Sequence, residues 1–157
     1  MKKRWLLPSS AKGQSLVELA VSLVVLLFLL SGAVEFGIIF FQFVQLRDAA
    51  QEGALYGSIN PPPDPSDPGY AAAVDVIETR AKSSSSSPID LINDPAVVVN
   101  VDVTDGQYCE GGSLRVQVQY PHQVFMPFMS SIIGSSIPLN AEVTDTILTP
   151  VCPSSGP

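Results

Sequence analysis

Residues 16–44 read LVELAVSLVVLLFLLSGAVEFGIIFFQFV, an almost unbroken apolar run, and it limits what the chain can fold into more than any other feature. A helix over it would be roughly 43 Å long at ~1.5 Å per residue, longer than the ~30 Å hydrocarbon core of a bilayer. Gly32 and Gly37 weaken such a helix without ending it. The helical pattern continues through QLRDAAQEGALYG, where Leu46, Ala49, Ala50, Gly53 and Ala54 form a small-residue stripe. The pattern predicts one long helix from about Ser15 to about Tyr56. Its first part lies in a membrane and its last part outside.

Charge gives the run a direction. Lys2, Lys3, Arg4 and Lys12 all precede it and are four of the eight basic residues. The fifteen acidic residues all follow Lys12, and the formal net charge is −7. A basic front and an acidic remainder fit a cytoplasmic N-terminus and an exported C-terminal part. The acidic balance also argues against nucleic acid as a partner. Two carboxylates then need an account: Glu18 at the threshold of the run and Glu35 inside it. An ionised carboxylate in hydrocarbon costs several kcal/mol unless it is paired or neutralised.

Three readings of this front end are open. A cleavable secretory signal has a basic start, an apolar stretch from Leu19 to Leu30 and a small-residue site at Ser31-Gly32-Ala33. However, the apolar run continues past that site from Phe36 to Val44. A plain uncleaved anchor leaves Glu18 and Glu35 unexplained, unless Glu18 sits at headgroup level. A prepilin-type leader fits the register of GQSLVE. Gly13 ends a short basic leader, Gln14 becomes the new N-terminus, and Glu18 is fifth in the mature chain. Cutting there frees an amine on Gln14, and in a helical stack of subunits Glu18 pairs with that amine on its own chain or a neighbour's. The pair offsets the burial cost and fixes axial register. Glu35 lies roughly 25 Å further along the helix, near the outer face of the bilayer. It is protonated, paired with a partner subunit, or at the interface.

The exported part reads as a small α+β unit. SINPPPDPSDPG (58–69) cannot continue a helix and forms a Pro-rich linker or exposed loop. A short second helix is expected over about Tyr70 to Lys82, with Val74, Ile77 and Ala81 on one face and Glu78 four residues before Lys82. The serine run from Ser83 to Ser87 ends it. VVVNVDVT (97–104) and SLRVQVQY (113–120) alternate apolar and polar residues with the period of two of a half-buried antiparallel strand. DGQYCEGG joins them as a hairpin. Residues 124–137 are apolar and irregular, and a third strand spans about Leu139 to Leu148. The organisation is thus a leader (1–13), a transmembrane and extended helix (14–57), a linker (58–69) and an exported α+β domain (70–157) with about three antiparallel strands.

Two cysteines flank these strands. Cys109 precedes the second strand and Cys152 follows the third, so antiparallel pairing brings the two ends together. A disulfide there closes a loop of about 43 residues and contributes roughly 4 kcal/mol in the chain-entropy account. Two free thiols are the alternative. No catalytic set is visible. His122, the single histidine, sits in YPHQ without a nucleophile or metal-ligand spacing near it and reads as structural or surface. Asp102, Asp105 and Glu110 offer acidic oxygens near the hairpin but no EF-hand order, and read as a solvated acidic loop. No cofactor and no metal are expected.

Taken together, KGQSLVELAVSLVVLLFLLSGAVEFG, the following QLRDAAQEGALYG and the late VQVQYPHQVF with its final strand resemble the TadE-like minor pilins or pseudopilins of Tad/Flp (type IVc) pilus systems. The GQSLVE register and Glu35-Phe36-Gly37 are the most specific parts. The proline loop and serine run depart from the pattern. The resemblance implies a pilin-like exported domain, cleavage after Gly13 by a prepilin peptidase, and a single membrane pass with a cytoplasmic N-terminus. It also implies a role, alongside other pilins and the assembly machinery, in building a thin surface pilus for adhesion or colonisation. By that resemblance Gly13 and Gln14 carry processing and Glu18 carries assembly. A pseudopilin of a type II-like secretion system shares the processing, and a membrane-anchored binding module would lack the cut.

Overall fold

The computed structural model describes residues 11–126 and 129–152, so most of the expected leader lies outside it. Helix α1 runs Ala11–Ile59 without a break, and Gly32 and Gly37 are absorbed within it. It starts before Ser15 and ends three residues past Tyr56. Pro61, Pro62 and Pro63 stop it, because proline has no N–H to donate and crowds the preceding turn. The last turn is closed from elsewhere in the chain. Leu148 N–H donates to Ser58 O (2.8 Å), and the Thr149 hydroxyl donates to Ile59 O (2.6 Å).

The helix has two regimes. From Leu16 to Leu30 every side chain is exposed. From Glu35 onward one stripe is covered: Glu35, Gln45, Leu46, Ala49, Ala50, Gly53, Ala54, Gly57 and Ser58 are buried, and Ile39 and Gln42 are half-buried. The steps of three and four residues keep this stripe on one helix face. It is one helix long and apolar enough to cross a membrane, with a small α+β domain built on its C-terminal half.

That domain contains α2 (Tyr70–Lys82), β1 (Val98–Val103), β2 (Ser113–Gln123), the short α3 (Ser130–Ile133) and β3 (Ser136–Thr146). The proline loop makes turns by short side-chain bonds. Ser66 N–H donates to Asp64 (2.9 Å) and Gly69 N–H to Asp67 (2.7 Å). The loop is not wholly exposed, since Pro62 is buried. Helix α2 turns Ile77 and Ala81 into the core. Arg80 pairs with Glu52 of α1 (3.6 Å), and Lys82 acts on Glu78 through its charge, favouring the ionised carboxylate.

The sheet is antiparallel in the order β1-β2-β3. One face carries Val99, Val103, Leu114, Val116, Val118, Leu139 and Ala141, all buried. The stripe on α1 and the apolar face of α2 cover it, forming a two-layer core of the kind a small α+β domain needs. The opposite face is polar, with Arg115 bonded to Asp102 (3.0 Å). Small residues on α1 let helix and sheet approach closely. A Cβ on Gly53 would stand 3.0 Å from Ala81 and 3.1 Å from Val116.

Strand β2 does not stop at Tyr120. It passes through Pro121 to Gln123, where Pro121 faces Pro138 and His122 faces Ile137. The reason is local. β1 pairs only as far as Gln119, so beyond that point β2 is an edge strand and needs no donor on that side. Opposite prolines satisfy a non-hydrogen-bonded pair, since neither has an N–H to offer. β3 likewise begins before Leu139. Cys109 and Cys152 are joined by a disulfide with Cα atoms 5.0 Å apart, at the end of the sheet beside the C-terminus of α1.

Candidate functional site

The buried polar residues of the domain lie along α1, and they show where the helix is fastened. Glu35 is 1% exposed and His122 is 3% exposed. His122 Nε2–H donates to Glu35 Oε1 at 2.8 Å. The same carboxylate accepts two backbone donors, Phe125 N–H at 3.0 Å and Met126 N–H at 3.1 Å. The other ring nitrogen, Nδ1, lies 2.6 Å from the Gln42 side-chain amide. Two turns of helix and the end of one strand thus share a closed network. Every buried side-chain nitrogen and oxygen among the described residues has a partner.

Backbone geometry puts these groups together. In β2 the residues facing α1 are the even-numbered ones from Leu114 to Tyr120, and His122 keeps their parity. In α1, Glu35 and Gln42 extend the stripe that contains Ala49 and Gly53. β2 descends as α1 rises: Gly57 faces Leu114, Gly53 faces Val116, and Glu35 faces His122. A carboxylate so held accepts three donors from the end of β2 and the residues after it. Its chemistry is to hold a strand end against a helix.

Gln45 is a second fastener. Its amide donates to Ile89 O (2.7 Å) and accepts from Ile89 N–H (2.9 Å), pinning the segment after α2 to the helix. At the hairpin Asp102 and Asp105 are engaged within the chain. Asp105 accepts Gln107 N–H (3.0 Å) and Ser113 N–H (2.9 Å). These bonds, Gln107 first, hold its carboxyl below the usual carboxylate range. Among the described residues no three of His, Cys, Asp and Glu gather to hold a metal ion.

At the other end of α1, Gly13, Gln14 and Glu18 lie exposed on the helix. Gln14 and Glu18 are four residues apart and share a face. The structure does not bring them near the Glu35 network. The sequence reading of Glu35 as protonated, subunit-paired or interfacial missed its partner in its own chain. The view of His122 as a structural or surface residue is narrowed to a buried one. Continuing the strand parity past Pro121, and the helix stripe back from Leu46, would have found the contact.

These features define a class: among the described residues, one membrane-length helix whose C-terminal half carries a small disulfide-stapled antiparallel sheet. The model of the TadE-like protein family matches residues 13–55. Residues 13–55 are thus similar to that family, from Gly13 through the stripe that packs on the sheet. The match suggests a function related to the Tad pilus, in a family that is structural and non-enzymatic, and the helix suggests a membrane anchor. No curated protein and no solved structure gives a match.

Proposed function

We propose that this protein is a minor pilin or pseudopilin that takes part in assembling a Tad/Flp-type pilus for adhesion or surface colonisation. The observation that carries the reading is the reach of the family match, which begins at Gly13 and runs the length of the helix. In this reading a prepilin peptidase cuts after Gly13. The new Gln14 amine then pairs with Glu18 of its own or a neighbouring subunit, which sets the axial register of the assembly. The chain crosses the cytoplasmic membrane once, with its N-terminus inside and the α+β domain outside. Its partners are the peptidase, other pilins and the assembly machinery.

The test is the N-terminal sequence and intact mass of the protein from native membranes. A start at Gln14 supports the reading. A start at Met1 or Val34 overturns it. Glu18→Ala is expected to spare the cut and reduce piliation, and unchanged piliation would remove Glu18 from assembly.

A further inference from the structure

The connection between β2 and β3 is uncharged. No Asp, Glu, Lys or Arg occurs between Arg115 and Glu142, in a chain whose exported part is otherwise acidic. Its described tip exposes large apolar side chains: Phe125 is 80% exposed, Ile132 65% and Ile133 42%. Exposed residues of this size in one small patch mark a contact surface.

The position of the patch identifies what covers it. Phe125 and Met126 donate their N–H groups to Glu35. The Met129 side chain is the nearest neighbour of Gly32, with its Cε 3.9 Å from where a Cβ would stand. The tip is therefore fixed at the level of residues 32–35 of α1. Counted from Leu16 at ~1.5 Å per residue, that level lies roughly 24–29 Å along the helix, at the far edge of a ~30 Å hydrocarbon core. There α1 exposes Val34, Phe36 and Phe40, so the patch continues the apolar surface of the membrane helix.

The geometry points to a second membrane contact: the β2–β3 tip is a foot that rests in the outer interface of the bilayer, with Phe125, Ile132 and Ile133 among the lipid headgroups and upper acyl chains. The depth is interfacial because irregular backbone does not enter lipid-exposed hydrocarbon, whereas apolar and aromatic side chains do partition at the boundary. Such a foot fixes the height and tilt of the exported domain over the membrane. The inference rests on α1 crossing the bilayer, and it adds a contact that the pilin reading does not require.

The experiment uses the full chain in lipid vesicles. Trp5 is the only tryptophan, so Trp5→Phe gives a silent background for Phe125→Trp, Ile132→Trp and, as a reference on the outer part of α1, Leu55→Trp. With lipids brominated high on their acyl chains, both foot positions are expected to lose most of their emission, and more than with lipids brominated at the chain ends. Leu55→Trp is expected to keep its emission. If the protein floats with the vesicles but both foot positions stay bright, the foot is overturned and the anchor stands; the patch then belongs to a neighbouring subunit. If the protein does not float, anchor and foot fall together.

Discussion

Replacing Glu35 with alanine removes the acceptor that three donors share. Two of them, the amides of Phe125 and Met126, are part-buried at the edge of the domain, where interfacial water or headgroup oxygens replace the carboxylate at modest cost. The third is the His122 ring, which is 3% exposed. Leaving a buried donor without its charged acceptor costs about 1–3 kcal/mol or more. With the other two donors re-satisfied by solvent, the ring dominates, and Glu35→Ala is placed at about 3 kcal/mol. At about 1.4 kcal/mol per tenfold, that is about 100-fold. The loss is local, so hydrogen exchange of the intact protein in lipid nanodiscs is the assay. Amides from Val118 to Met126 should exchange about 100-fold faster, while those of β1 stay nearly unchanged. A change under about threefold would refute the pin. Glu35→Gln, which keeps one carbonyl acceptor, should lose less. Glu35→Leu combined with His122→Phe should recover much of the loss, because an apolar pair leaves no orphaned donor.

Other expectations are simpler to test. Gly57→Ala places a Cβ on Leu114 and 3.3 Å from Ile77, and should lower unfolding free energy in detergent by about 1–3 kcal/mol; Gly37→Ala, with nothing within 4 Å, should be neutral or gain up to about 1 kcal/mol. Cys109→Ser should lose about 2–4 kcal/mol in the same denaturant titration, and the shift between reduced and non-reduced gel mobility should vanish. Asp105 has a lowered folded pKa, so its contribution is complete above the ordinary aspartate value of about 3.9 and fades as pH falls through the lower folded value. Protection of the Gln107 and Ser113 amides should therefore drop on acidification in the native chain and vary less in Asp105→Asn.

Much of this architecture was legible in the residues. The apolar run and its stripe gave the long helix, and the stripe from Leu46 to Ala54 is the face that packs on the sheet. Alternation in 97–104 and 113–120 gave the inward valines, and the cysteine positions at two strand ends anticipated their bridge. Local pattern failed where a distant neighbour decided the outcome. Pro121 looked like a strand terminus, and only the early end of β1 permits β2 to pass through it. Glu35 and His122 are 87 residues apart; alone, Glu35 lacked a partner and His122 read as structural or surface. Gln42 and Gln45 were invisible because a polar residue in a stripe carries no hydrophobic signal; burial with a specific partner is a property of the fold.

The helix–sheet contact is closed at both ends. The Glu35–His122 pair closes the end toward the apolar half of α1. The disulfide, with the Leu148 and Thr149 caps, closes the far end. Between them, 22 residues of α1 (roughly 33 Å) run beside 8 residues of β2 (roughly 27 Å). A pull along the helix axis thus strains the contact in shear. Its bonds yield together or not at all. A sideways pull meets a pinned edge at either end, so the contact has no free corner from which to peel.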